Sequence, residues 1–283
     1  VVLSMSDTLF RMAGERHDER MQAVAIATRL DYYYFQGTNE DSVIHYTNKV
    51  KEFAKATHQP KYYYFAWANR LVTYYLKTSR TNIALYEVQN MLKEAQKEDD
   101  KTGLSRCYNI MSQIYTIKRF DSMAFEWRLK EIELTEKYNI ENYNISQTYA
   151  QIANYYISQK KQKEALRAVE KAISTANSST QQISAKLEYV NYYSKFGDFQ
   201  AAEKILKECQ IAFEQDKRLE SIKKRLYNIE CLYYQQTRQY QKALEAAEMQ
   251  EKEEHRLSES ILSSSHYRTQ GEIYQKMGNM NMA

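Results

Sequence analysis

The amino-acid sequence predicts an all-α protein built from stacked antiparallel helical hairpins, and two observations support this. The 283 residues include only 6 Gly and 1 Pro, whereas average usage would give about 20 and about 14. Long helices joined by short links need few of these turn-forming residues, whereas a strand-rich fold needs many. The second observation is an internal repeat with a period near 40 residues, which is typical of helical repeat architectures.

The repeat is carried by an aromatic residue and a small residue in a fixed frame. Tyrosines, called here the signature tyrosines, recur at spacings of 42, 40, 41, 37, 41 and 40 residues, at Tyr33, Tyr75, Tyr115, Tyr156, Tyr193, Tyr234 and Tyr274. Nine residues after each comes a small side chain, at Ser42, Ala84, Ala124, Ala165, Ala202, Ala243 and Ala283. We expect the small residue to let two helices approach and the ring to fill the groove beside it. One hairpin cannot bury its apolar face alone, so each requires the next.

Each repeat is predicted to be helix, tight turn, helix. In one turn, Gly197 is expected to take the left-handed conformation that ends the first helix, and Asp198 to help start the second. The predicted organisation is a single array over 1–283. It consists of a last helix of a preceding unit at 1–15 and repeats at about 16–57, 58–98, 99–139, 140–178, 179–216, 217–257 and a truncated 258–283.

Two segments carry a resemblance to a known family. Residues 191–202, NYYSKFGDFQAA, resemble the helix A–turn–helix B core of a tetratricopeptide repeat, as does Ala153-Asn154-Tyr155-Tyr156 followed by Ala165, Val169 and Ala172. The resemblance covers nearly the whole chain and implies a tetratricopeptide-like (TPR-like) superhelix. The period near 40 exceeds the 34 residues usual in the family, which implies longer helices, and the family's closing Pro is absent.

Charge and hydropathy exclude two classes of partner. The 40 Lys and Arg and 36 Asp and Glu give a net charge of +4 and are mixed along the chain, whereas nucleic-acid binders usually concentrate basic residues on one face. We therefore expect no nucleic-acid partner. No apolar run reaches the length of about 18 residues that a spanning helix needs, so no membrane span is expected within this chain.

Residues capable of catalysis or metal binding do not form a motif. The five histidines, none of them in a metal-binding pattern, are His17, His45, His58, His255 and His266. Adjacent carboxylates such as Asp99-Asp100 point in different directions on a helix, and 6 Gly leave little for a phosphate loop. We expect no catalytic site, no metal and no cofactor.

The cysteines and the aromatic runs each leave an alternative open. Free buried thiols are expected at Cys107, Cys209 and Cys231, which form no CxxC pair, with a Cys209–Cys231 disulfide as the alternative. The runs 32–35 (YYYF) and 62–65 (YYYF) are expected to pack in the core and between repeats. The alternative is that these rings stack directly on a ligand.

A ligand-binding groove is suggested by the family resemblance, which implies that the first helix of each hairpin lines a concave face. Projected onto that face are Asn69, Asn109, Asn154, Asn191 and Asn228, with the cations Lys77, Arg106, Lys195, Arg225 and Arg268 nearby. Amides donate and accept, so they could hold a peptide backbone, and the cations would favour an acidic group or a terminal carboxylate. The alternative is a polar groove whose amides bind only water.

Two further segments narrow the functional prediction. Residues 59–65 (QPKYYYF) and 93–104 (KEAQKEDDKTGL) resemble the N-terminal sensor regions of bacterial membrane-bound two-component histidine kinases. The resemblance implies a periplasmic input region that binds a protein or peptide, with the kinase beyond Ala283, and a homodimer is compatible with it. The alternative is a cytoplasmic scaffold or regulator that mediates protein–protein interaction.

Overall fold

The structure is a computed structural model that describes residues 1–37, 39–256 and 263–278. The side chains of residues 254–256 and 263–266 are not described, and Ala283, His255 and His266 thus lie outside the described set. Within it every regular element is a helix, which confirms the all-α prediction. The chain forms two compact units, Val1–Ile140 and a second that begins at Glu141.

The first unit consists of α1 and three helical hairpins. Its elements are α1 (Val2–Glu15), α2 (Glu19–Gln36), α3 (Glu40–Ala56), α4 (Pro60–Ala66), a π-helical segment (Trp67–Val72), α5 (Thr73–Lys77), α6 (Thr81–Lys97), α7 (Lys101–Ile117) and α8 (Asp121–Tyr138). The hairpins pair α2 with α3, the broken helix α4–α5 with α6, and α7 with α8. The core between them includes the fully buried side chains Leu30, Trp67, Val88 and Ile114.

The second unit repeats this arrangement. Its elements are α9 (Ile145–Ser158), α10 (Gln162–Ser174), α11 (Ser179–Phe196), α12 (Phe199–Gln215), a 3-10 helix (Lys217–Ile222), α13 (Lys223–Gln236), α14 (Tyr240–Arg256) and α15 (Ser263–Lys276). The hairpins are α9/α10, α11/α12 and α13/α14, and the first helices α9, α11 and α13 contact one another in that order. Leu187, Val190 and Leu206 are buried between the second and third of these hairpins.

The signature tyrosines mark the ends of the first helices. Four residues after each of them is a residue with positive φ, at Gly37, Ser79, Arg119, Lys160, Gly197, Arg238 and Gly278. In five of these turns the tyrosine carbonyl accepts a hydrogen bond from the N–H five residues on, as between Tyr75 and Arg80 at 2.8 Å. This is the Schellman arrangement, which satisfies carbonyls that the helix end would leave unpaired.

The turn predicted at Gly197 is confirmed. Gly197 has φ 89°, and the Asp198 side chain accepts a hydrogen bond from the Ala201 N–H as the N-cap of α12. Because the same turn recurs, the interval from tyrosine to second helix is nearly constant. That constancy is the physical origin of the sequence frame.

The small residues lie in the first turn of the second helices. Ala84, Ala124, Ala165, Ala202 and Ala243 are all 0% exposed. The first repeat requires a correction, because Ser42 is half-buried whereas Val43 is 0% exposed. The N-cap there is Asn39, two residues after Gly37, whereas Asp198 directly follows Gly197. One extra residue in the turn moves the buried position from 42 to 43.

Candidate ligand-binding groove

The first helices of the second unit line an open cavity of about 210 Å³ on the face predicted to bind a ligand. The side chains of α9 that line it are Asn154, Ile157 and Ser158, those of α11 are Asn191, Ser194 and Lys195, and those of α13 are Leu232 and Gln236. The structure thus brings together three of the predicted groove residues, Asn154, Asn191 and Lys195. We call this cavity the amide groove.

The centre of the amide groove is a hydrogen bond between two asparagines on neighbouring first helices. Asn191 Nδ2 donates to Asn154 Oδ1 at 2.6 Å, and both side chains are half-buried. No further partner of either amide is found in the described part of the chain. The two groups of the pair that take no part in this bond are the Asn154 Nδ2 donor and the Asn191 Oδ1 acceptor, which together match the C=O and N–H of a peptide group.

The third helix gives the amide groove a different chemistry on one side. Asn154 and Asn191 lie two residues before their signature tyrosines, and at that position α13 carries Leu232, which is 38% exposed. Two residues after the tyrosines come Ser158, Lys195 and Gln236. Lys195 is exposed, and no ion pair to it occurs among the residues described. Leu232, Gln236 and Ser158 were not predicted, although their positions in the repeat frame could have identified them.

Arg225, predicted to bind a ligand, is instead paired with a buried carboxylate. Its guanidinium contacts Glu188 of α11, whose side chain is 1% exposed. Glu188 Oε2 and Arg225 Nε find no hydrogen-bond partner in the described structure. Because removing Arg225 would leave Glu188 buried without its counter-charge, this cation is committed to holding α11 against α13.

The remaining predicted residues do not line the amide groove. Asn228 is exposed on α13, and Arg268 on α15 pairs with Glu272 at 3.4 Å. In the first unit, Asn69 is half-buried in the π-helical segment. Asn69, Asn109 and Asn228 lie six residues before their tyrosines rather than two, so the asparagines occupy two registers, one helical turn apart, and do not form one ladder.

Asn109 and Arg106 belong to the interior of the α7/α8 hairpin. Asn109 is only 9% exposed, and its Nδ2 donates to both carboxylate oxygens of Glu131 at 3.1 Å. Its Oδ1 accepts from Gln113 Nε2 at 2.7 Å. Arg106 is half-buried, and burial lowers the pKa of its guanidinium against the opposing effect of Glu131. The sequence places these residues on a helical face but does not show that α8 covers it with a carboxylate.

The aromatic runs are divided between core and surface. Tyr34 and Tyr64 are buried, whereas Phe35 is 72% and Phe65 42% exposed. The Arg70 guanidinium lies 5.7 Å from the centroid of Phe35 and 5.1 Å from that of Phe65, and also pairs with Asp31. Most rings in these runs therefore pack within the protein, and the two exposed phenyl rings flank a cation of the chain itself.

The described residues contain no candidate metal site. No group of three or more His, Cys, Asp or Glu side chains in them could hold a metal ion. All three cysteines are buried free thiols. Among the helices described, none combines the length and the apolar character needed to cross a membrane.

Comparison with solved structures identifies the fold. A tetratricopeptide repeat protein from Parabacteroides merdae ATCC 43184 is 14% identical, with a TM-score of 0.55 over 89% of this chain and 87% of that protein. The apo form of RapI is 13% identical, with a TM-score of 0.57 over 98% of this chain and 70% of RapI. A Rap protein complexed with Competence and Sporulation Factor is 14% identical, with a TM-score of 0.54 over 99% of this chain and 86% of that protein.

These similarities show that the chain has a TPR-like helical repeat fold, as the sequence resemblance implied. No protein-family model matches the sequence. No curated protein matches it either.

Proposed function

We propose that this chain is a non-catalytic binding module that holds a protein segment or peptide in the amide groove. The observation that carries the proposal is the Asn154–Asn191 amide pair, in which Asn154 Nδ2 and Asn191 Oδ1 take no part in the hydrogen bond and both residues line a cavity. Solved proteins of this fold include a Rap protein complexed with Competence and Sporulation Factor, which supports a binding role for such an array.

The lining of the amide groove defines the ligand chemistry. Asn154 Nδ2 donates to a backbone carbonyl of the ligand, and Asn191 Oδ1 accepts from a backbone N–H. Leu232 gives an apolar contact for one side chain, and Lys195 attracts a carboxylate. The ligand is therefore an extended segment with an apolar residue next to an acidic group.

Peptide titration of paired variants tests this function. We expect labelled pentapeptides that combine a Leu with an Asp or a terminal carboxylate to bind the wild-type chain, as measured by fluorescence polarisation. Asn154→Ala and Asn191→Ala should each weaken binding about 10-fold, because each leaves a buried polar group of the complex unpaired. Asn90→Ala, at an exposed position of α6, is the matched control. Unchanged affinity in both groove variants would show that the amide groove is not the binding site.

We further propose that the module is the periplasmic input region of a two-component sensor histidine kinase. The support is the sequence resemblance of residues 59–65 and 93–104. A ligand that binds one arrangement of the hairpins better than another would shift the population toward it and so transmit a signal.

The coding sequence and the location of the native protein test the sensor proposal. An apolar segment of about 20 residues beyond Ala283, together with recovery of this region in the periplasmic fraction, is the expected result. Recovery in the cytoplasm without such a segment would favour the alternative, a scaffold or regulator that binds its partners through the same groove.

A further inference from the structure

A second cavity, unrelated to the amide groove, lies in the first unit. It has a volume of about 420 Å³, within the usual range for small-molecule sites, and lies between α3, α4 and α6. One wall is apolar and includes Pro60, Met91 and the rings of Tyr63 and Tyr64. Ala54 and Ala95 also line it, and their small side chains leave the space open.

The charged wall of this cavity is a ladder of two Lys/Glu levels, which we call rungs, and only the rung formed by Lys51 and Glu94 is closed by a direct ion pair. Lys51 and Lys55 lie one turn apart on α3, and Glu94 and Glu98 lie one turn apart at the end of α6. Lys51 Nζ pairs with Glu94 Oε2 at 2.7 Å and lies 4.9 Å from the centroid of Tyr63. Burial alone would raise the pKa of Glu94, but the hydrogen bonds and charges of Lys51 and Lys55 outweigh it and lower that pKa.

The second rung is open. Lys55 leans back toward Glu94, with 3.5 Å between Nζ and Oε1, and is 62% exposed. Glu98 is exposed, and within the described structure it forms no ion pair. Asp100, which also lines the cavity, is occupied: it caps α7 through the Gly103 N–H and accepts from the Tyr64 hydroxyl. The groups open to an occupant are thus the ammonium of Lys55, the carboxylate of Glu98 and the imidazole of His58, which is exposed and also lines the cavity.

We propose that this cavity binds a small zwitterion with a short apolar body, a free amino acid or a dipeptide. The ligand carboxylate pairs with Lys55 and its ammonium with Glu98, which completes the second rung in place of a direct pair. Its side chain lies against Met91 and the tyrosine rings. The cavity shares no residue with the amide groove, so a negative result at one site does not bear on the other.

Isothermal titration of the whole chain tests the proposal. The probes are the standard amino acids and leucyl-leucine, each compared with its N-acetylated and its C-amidated form, which lack one of the two charges. We expect at least one zwitterion to bind, and both blocked forms of it to bind at least 10-fold more weakly, because each loses one charge-assisted hydrogen bond. Binding by the amino acid, the dipeptide or both distinguishes the two sources of this chemistry.

Substitutions at the open rung complete the test. Lys55→Met and Glu98→Gln, both at exposed positions, should each weaken binding about 10-fold. Lys204→Met, at an exposed position of α12, should leave the affinity unchanged. Absence of binding by every zwitterion, equal affinity for the blocked forms, or unchanged affinity in both rung variants would overturn the proposal.

Discussion

At the residue scale, each first helix ends at a residue in the left-handed conformation, and most of the residues found there are not glycine. Four of the seven positions that end the first helices are non-glycine residues with φ between 57° and 62°: Ser79, Arg119, Lys160 and Arg238. An L-residue there is destabilised by about 1–2 kcal/mol relative to the right-handed region. The hydrogen bonds of the Schellman turn compensate for this. The sequence signal at these positions is weak because Ser, Arg and Lys all occupy them as well as Gly.

Exchanging glycine and non-glycine residues at two such turns should have opposite effects. We expect Lys160→Gly to stabilise the protein by about 0.5–1 kcal/mol, because the left-handed strain is relieved and only part of the gain is lost to chain entropy. Gly197→Ala should destabilise it by about 1 kcal/mol. A methyl group at Gly197 would meet no atom within 4 Å, so the effect is conformational. Urea unfolding measures both, and equal signs would contradict the explanation.

A single carboxylate should contribute to the acid sensitivity of the second unit. Asp216 accepts hydrogen bonds from the Arg218 side chain and backbone and from Ser179, which lower its pKa from 3.8 to about 2. Because the folded-state pKa is the lower one, this contribution to stability is present above about pH 4 and is lost as the pH falls toward about 2.

The difference between wild type and Asp216→Asn isolates this effect. We expect the wild type to be more stable at pH 6 and the difference to shrink at pH 2.5, as measured by urea unfolding at each pH. Other carboxylates titrate equally in both proteins and cancel. A difference that stayed constant or grew on acidification would contradict the assignment.

At the element scale, the α7/α8 hairpin is held by a buried polar network. Glu131 is 1% exposed and accepts two hydrogen bonds from Asn109. Burial lowers the pKa of Arg106 and of Arg128, and the Glu131 charge opposes that shift in both. Glu131 is therefore the carboxylate that allows guanidinium groups to be buried in this hairpin.

Glu131→Gln should be strongly destabilising. It keeps the side-chain volume but removes the larger of the two negative charges that act on Arg128, which is 7% exposed, and leaves only the smaller effect of Asp121. We expect a loss of about 3 kcal/mol. Glu133→Gln, at an exposed position of the same helix, should change stability by less than about 0.5 kcal/mol. Chemical unfolding followed by circular dichroism compares the two. Similar values for both variants would show that the network contributes little.

The elements also show what the sequence could and could not predict. The all-α class, the order of the hairpins and the turn at Gly197 could be predicted, because each depends on short sequence patterns that recur in every repeat. The register error at Ser42 arose because one additional residue in the turn is invisible to a fixed spacing. The π-helical segment Trp67–Val72 was not predicted, because no pattern in the sequence distinguishes it from an α-helix. The amide groove was half predicted, since Asn154 and Asn191 are polar residues on the correct face, whereas the burial of Asn109 depends on a partner helix.

At the scale of the whole molecule, two candidate sites have different origins. The amide groove is formed by first helices, whose equivalent positions carry Asn, Asn and Leu in succession. The cavity lined by Lys55 and Glu98 is formed between α3, α4 and α6. A repeat architecture supports both, because the stacked backbone stays the same while side chains at equivalent positions vary.

The reactivity of the three cysteines tests the packing of helices in both units of the molecule. Cys107 lies in α7, Cys209 in α12 and Cys231 in α13, and all are free and at most 2% exposed. Burial raises the pKa of Cys107 to about 12 and that of Cys209 to about 11, and it raises that of Cys231 as well. Since the thiolate is the reactive form, burial and pKa both suppress modification.

We therefore expect no thiol of the native chain to react with a disulfide reagent at pH 8 on the time scale on which the unfolded chain reacts completely. In guanidinium chloride all three should react, as counted by absorbance and located by mass spectrometry. Reaction at Cys107 alone would reveal a Cys209–Cys231 disulfide. Rapid modification of a native thiol would show that its helix is not packed as described, because a thiolate can form and be attacked only where water reaches the sulfur.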